Sequence, residues 1–187
     1  MQPKKLVEFL GIVGKLKSNT RHVWNADNRQ ESVAEHCWRL SVMALLMTDE
    51  FPEVDINKVV KMCLIHDFGE AITGDIPSFM KNEEDEEKEE KAIIDLLDML
   101  PKSISEEFAD LFAEMANMET EEAKLYKALD KLEAIISHNE SPLETWLELE
   151  YTENLIYGTE NVVFSDYLIK LREKLMKDSI QKIENGE

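Results

Sequence analysis

Glycine and proline are scarce in this 187-residue chain, at 6 and 5, too few for the repeated tight turns of a sandwich or barrel. Cysteine is scarcer still. Cys37 and Cys63 both stand in apolar helical contexts and form neither a ligand pair nor a disulfide framework, which suits buried thiols in a reducing cytoplasm. No apolar run approaches the roughly 20 residues that span a bilayer. The basic start of MQPKKLVEFLGIVGKLKSNT is interrupted by Lys15 and Lys17, and no small-residue cleavage site follows. Positive charge is the last shortage: 21 Lys and Arg against 40 Asp and Glu give a formal charge of −19. Such a surface argues against polymeric nucleic acid and anionic membranes as partners. A small anion stays open, provided a metal ion and a few local cations reverse the field inside one pocket.

What is present is apolar periodicity. Hydrophobic residues make up 43% of the chain, enough for one core, and the length suits one domain. Leu6, Phe9, Leu10 and Val13 mark the inner face of a first helix. The segment SNTRHVWNADNRQE lacks helical periodicity and reads as a loop. Ser32 with Glu35 forms a capping box for a helix continuing through Met47. Asp55 caps a helix carrying Val59, Val60, Cys63, Leu64 and Ile65. Gly74 and Pro77 force a turn, and the acidic run at 83–90 reads as a solvated helix start. Ser103 with Glu106 signals a further N-terminus, Thr120 opens a long helix, and Ser141-Pro142-Leu143-Glu144 forms another capping box. A last helix begins near Ser165. The expectation is an all-α, single-domain helical bundle over residues 1–187, with its core at about 3–175 and a charged tail beyond.

The stretch CLIHDFGEAITGDIP, residues 63–77, breaks this pattern by placing four ionisable groups at the end of an apolar helix. If the helix persists, His66 and Glu70 share a face, and Asp67, about 100° round from His66, still reaches a common ion. Two ligands do not hold a catalytic metal. His36, on an otherwise apolar helix, and Asp130, beside a buried stripe of Leu125, Leu129, Leu132 and Ile136, are the candidates to complete it. Taken alone, His36 also fits a hydrogen-bonded core residue, and Asp130 a carboxylate paired with Lys127 or Lys131. Two imidazoles and two carboxylates together suit Mn²⁺, Fe²⁺, Co²⁺, Ni²⁺ or Zn²⁺ better than Mg²⁺.

The order His36, His66-Asp67, Asp130 resembles the H…HD…D signature of the HD-domain metal-dependent phosphohydrolases. ESVAEH, HDFGEAITGDIP and AKLYKALDKLEA together resemble the HD-domain 5′-deoxyribonucleotidases along nearly the whole chain. The resemblance implies that His36, His66, Asp67 and Asp130 hold one divalent metal, with Co²⁺ or Mn²⁺ favoured. It implies catalytic roles for Glu70 and Asp75, and substrate contacts for Asp75, Arg21 and Trp24. The expected reaction is removal of the 5′-phosphate from deoxyribonucleoside monophosphates by a cytoplasmic homodimer. Two alternatives stand beside it: an HD-domain phosphohydrolase acting on a deoxynucleoside triphosphate or another phosphoester, and a helical interaction module with a structural metal. Glu35 is open to either a supporting role at the metal or the capping box alone.

Overall fold

The computed structural model describes residues 1–25, 27–77 and 80–186. Its elements in order are α1 (Pro3–Val13), β1 (Thr20–Trp24), β2 (Gln30–Ser32), α2 (Val33–Leu46), α3 (Ile56–Ile65), α4 (Glu70–Thr73), α5 (Glu83–Leu97), α6 (Lys102–Asn117), α7 (Glu121–Glu140), α8 (Glu150–Ile156) and α9 (Asp166–Asn185). The expected all-α bundle is what forms. Leu40 of α2, Met62 of α3, Leu125, Leu129, Leu132 and Ile135 of α7 and Leu168 of α9 are fully buried in one core. Each such side chain contributes about 1.5–3 kcal/mol by leaving water. The helix starts at Ser32, Asp55, Thr120 and Ser165 carry the side-chain caps their residue types favour.

Four local expectations need correction. The polar segment after α1 is an antiparallel hairpin rather than a loop, pairing Thr20 with Ser32 and Trp24 with Gln30, with an irregularity in the register between them. Its polarity hid it: only Val23 of β1 is buried, and its turn uses Asn28 at φ 61°. In α1 only Phe9 is buried, edge-on to Phe68 at 6.1 Å, while Leu6 and Leu10 are exposed, because one side of this terminal helix has a neighbour. Ser103 caps nothing, since α6 already begins at Lys102 behind Pro101. Ser141 does not open a helix either. It ends α7, and its hydroxyl accepts from the Trp24 backbone N–H and donates to the Trp24 carbonyl, tying the hairpin to α7. The last helix continues through the charged residues to Asn185, with Ser179 buried against Asn139.

Gly69 sets how closely α5 approaches the segment between α3 and α4. A Cβ there would stand 2.5 Å from Glu89 Cγ and 3.0 Å from the Glu89 carbonyl oxygen. Gly69→Ala is therefore expected to destabilise the fold by about 1–3 kcal/mol through overpacking. The check is a lower midpoint in denaturant with an unchanged slope; an unaltered midpoint would show that α5 moves away freely.

Candidate metal centre and its cleft

The helix carrying the apolar run ends at Ile65, so His66 and Glu70 do not share one continuous helical face as expected. Instead the chain tightens into turns of i−3 type: Phe68 N–H donates to Ile65, Glu70 to Asp67 and Ala71 to Phe68 at 2.9–3.1 Å. This delivers His66 and Asp67 at the end of α3 and Glu70 at the start of α4 into the same space by a different route.

His36 and His66 meet there with their Nε2 atoms 3.3 Å apart. The other nitrogen of each ring is already used. His36 Nδ1–H donates to Glu133 Oε2 at 2.5 Å, and His66 Nδ1–H donates to the Cys63 carbonyl at 3.0 Å. Acceptors on both Nδ1 atoms fix the tautomers and turn both Nε2 lone pairs toward one point, the arrangement that a metal-binding imidazole pair requires. Asp67 Oδ1 lies 3.0 Å from His66 Nε2, and the His36, His66 and Asp67 ligand atoms all fall within 4.8 Å of one another. Asp130 Oδ1 comes to 3.4 Å from His36 Nε2 and 3.8 Å from His66 Nε2, while its Oδ2 accepts from Lys127 at 3.0 Å. The mixed nitrogen and oxygen donor set fits a divalent transition-metal ion. Cys37 and Cys63 are buried free thiols, and burial pushes Cys63 up to about 12, so neither competes as a thiolate.

Glu133 is a residue that pattern reading missed. It is fully buried one turn along α7 from Asp130 and accepts from His36, from Arg21 Nη1 at 3.1 Å and from Arg39 Nε at 2.7 Å. Burial opposes its charge, yet His36, Arg21 and Arg39 outweigh that and hold its pKa below the ordinary glutamate value. The signal was present as an i, i+3 pair, Asp130 and Glu133, matched by His36 and Arg39 on α2. Glu35, the earlier candidate for this supporting role, turns elsewhere. It accepts from Ser32 N–H at 2.8 Å and takes two hydrogen bonds from the Arg29 guanidinium at 2.9 and 2.8 Å, and the Arg29 contact holds its pKa down at about 2.

A cleft of about 300 Å³ opens over the ligand set, lined by Glu70, Asp75, Arg21, Lys81 and Lys127 among others. Glu70 is buried, and its Oε2 has no hydrogen-bond partner among the described residues. Burial, then Asp67 and Asp75, push its carboxyl up to about 10, and burial with Asp67 also raises Asp75. Arg21 reaches the cleft with its Nη1 held by Glu31 at 2.7 Å and by Glu133. Trp24 is not among the lining residues; its backbone serves the Ser141 tie instead. His22 takes a place on the wall beside Arg21. Val23 lines it as well; consecutive strand residues normally face opposite ways, so the irregular register of β1 accounts for three neighbours bordering one cleft.

The sequence profile of the HD domain matches residues 13–172. The chain belongs to the HD-domain family. Among relatives of this HD domain, the 5′-deoxynucleotidase HDDC2 of Bos taurus is 37% identical over 73% of this chain and 68% of its own. The protein of the same name from Dictyostelium discoideum is 35% identical over 70% and 74%. A crystal structure of a predicted metal-dependent phosphohydrolase from Magnetospirillum magnetotacticum MS-1 superposes with a TM-score of 0.79 at 28% identity, over 96% of this chain and 95% of that one.

If Glu133 orients His36, the neutral isostere should loosen the ion without emptying the fold. Glu133→Gln is expected to weaken divalent-metal affinity about 10–100-fold, read by competition with a chromogenic chelator. Equal affinity would leave Glu133 with a purely structural part.

Proposed function

We propose that this HD domain is a metal-dependent 5′-deoxynucleotidase that releases the 5′-phosphate from deoxyribonucleoside monophosphates. The observation that carries the reading is the ligand set of His36, His66, Asp67 and Asp130 standing beside two further acidic groups in one cleft. That this arrangement occurs in a chain whose relatives bear the 5′-deoxynucleotidase name supports the substrate. An ion held by these four residues would supply Lewis acidity and acidify a bound water. Co²⁺ or Mn²⁺ suits the donors best, with Fe²⁺, Ni²⁺ and Zn²⁺ compatible.

The chain's own residues supply the proton traffic. Burial, Asp67 and Asp75 raise the pKa of Glu70, and burial with Asp67 raises that of Asp75, so the pair holds one proton more readily than none. One carboxylate accepts the proton of the attacking water and the other gives a proton to the departing 5′ oxygen, an acid–base division of two interacting carboxyls. Arg21 and Lys81 offset the acidic surroundings and offer positive charge to the phosphate dianion. The buried, unpartnered Oε2 of Glu70 speaks against a metal-stabilised interaction module, which has no use for it. A cytoplasmic location and a homodimer belong to the same reading and rest on the family resemblance, together with two buried reduced thiols for the former. No helix of the described residues is long and apolar enough to cross a membrane.

Phosphate release from a panel of deoxyribonucleotides, ribonucleotides and deoxynucleoside triphosphates, assayed after chelation and readdition of Co²⁺, Mn²⁺ or Mg²⁺, tests the function directly. Deoxymonophosphates should be cleaved, chelation should abolish cleavage, and Co²⁺ or Mn²⁺ should restore it; silence on all monophosphates with metal bound would sink the reading. In the same assay Glu70→Ala should keep its metal yet lose at least about a hundredfold in kcat, whereas Asp67→Ala should lose both metal and turnover. Full activity in the Glu70 variant would remove that residue from the proton path.

A further inference from the structure

Beyond the ligand set, the cleft has a second polar wall. His22 from β1, His138 from α7, and Glu150 and Asn154 from α8 all line it. Glu150 and Asn154 are buried at 3% and 5% exposure. The Glu150 carboxylate is anchored by the Leu147 backbone N–H, which donates to Oε2 at 2.6 Å. Its Oε1 lies 3.7 Å from both His22 Nε2 and His138 Nε2, too far for a hydrogen bond. Among the described residues, three buried polar atoms on this wall make no hydrogen bond of normal geometry, His22 Nε2, His138 Nδ1 and Asn154 Nδ2, although the Asn154 side chain stands close enough to His138 to interact with it. A buried donor without an acceptor costs free energy. Asn154 Nδ2 is such a donor and the two imidazole nitrogens are donors or acceptors by tautomer; set on residues that line one cavity, they indicate a ligand whose polar edge completes them.

The chemistry of the wall narrows that ligand. It is not a second phosphate or carboxylate, because Glu150 stands in the middle of it. Nor is it another ion, because its two imidazoles and carboxylate do not bring three ligand atoms within 4.8 Å of one another, as His36, His66 and Asp67 do. Burial, with Arg21 adding to it, pushes His138 down to about 4, so the ring is neutral at pH 7 and offers a donor or an acceptor rather than a charge. The Asn154 amide nitrogen offers donors only. A neutral planar group with alternating donors and acceptors along its edge meets these requirements, and a nucleobase is such a group.

Position gives the same answer. Asp130, Ala134 and His138 follow one another at i, i+4 and i+8 on α7, and all three line the cleft. Asp130 and His138 are therefore separated by about 12 Å of helix rise, with a small side chain between them. A phosphate at the Asp130 end leaves room for the sugar over Ala134 and brings the base to His138.

Resting on the nucleotidase reading above, we propose that His22, His138 and Asn154, with Glu150 behind them, recognise the edge of the nucleobase and set base preference. Wild type, Asn154→Ala and the milder, less buried His22→Ala are compared on the four deoxyribonucleoside monophosphates and on base-free 2-deoxyribose 5-phosphate. The ratio of kcat/KM for nucleotide over the base-free compound should fall at least about tenfold in the variants, mainly through KM and unequally among the four bases. An equal loss on base-free and base-bearing substrates, or no loss, overturns the assignment. Calorimetry with 2′-deoxyadenosine and thymidine, which carry no phosphate, separates this from the reaction. Binding by wild type that weakens in the variants supports the wall even if no deoxynucleotide is hydrolysed, a result that would sink only the proposed reaction. Absence of nucleoside binding in wild type overturns the wall even if phosphate is released.

Discussion

A carboxylate without access to water holds the site together. Glu133 sits on α7, accepts the Nδ1–H of His36 on α2 and bonds Arg21 on the hairpin and Arg39 on α2. The Ser137 hydroxyl also donates to it, at 2.9 Å. A charge in that position is tolerated only because every one of these partners is present, and removing any of them leaves the others desolvated at a cost of several kcal/mol. The hairpin, α2 and α7 therefore lock into one mutual register. That register is what places the His36 Nε2 opposite that of His66.

The surroundings of the ligand set explain why so acidic a protein handles an anion. Asp67, Asp130, Glu70 and Asp75 crowd a small volume, and their mutual repulsion favours any arrangement that brings in positive charge. Lys127 meets Asp130, and Lys81 pairs with Glu89 at the rim. Arg21 carries a charge that burial works against but Glu133 and Glu31 sustain. A divalent ion held there would complete this balance, and a phosphate would then meet a local field opposite in sign to that of the surface.

Legibility in the sequence followed the range of the interaction. Local signals read well: Ser32 with Glu35, Asp55, Thr120 and Ser165 cap their helices, and the apolar spacing of α7 marks the core face. The four proposed ligand positions became legible as a set only through the family resemblance that three motifs carry, since neither spacing nor periodicity distinguishes Asp130 from a solvated helix carboxylate. Contacts between distant segments read poorly. Ser141 resembles a cap because its neighbours fit one, yet its partner is Trp24 on the hairpin. The hairpin itself has one buried apolar side chain in β1, too few for a strand pattern, because its other residues are spent on polar contacts. His22, His138 and Asn154 carry no motif at all; they share one wall through where the bulged strand, α7 and α8 set them.

The placement of Asp130 and His138 on one face of α7 has a consequence for how such a protein changes over generations. A helix is stiff along its axis, so the span between the reacting end of the cleft and its far end is insulated from insertions in the loops around it. The far end is closed by short pieces, one strand of a small hairpin and a helix of seven residues, neither of which contributes to the ligand set. Substitutions at His22 or in α8 can reshape that end without touching the ligand set, whereas Arg21 on the same strand stays tied to Glu133. The fold thus separates an end built around a buried carboxylate from a far end whose shape is set by other side chains.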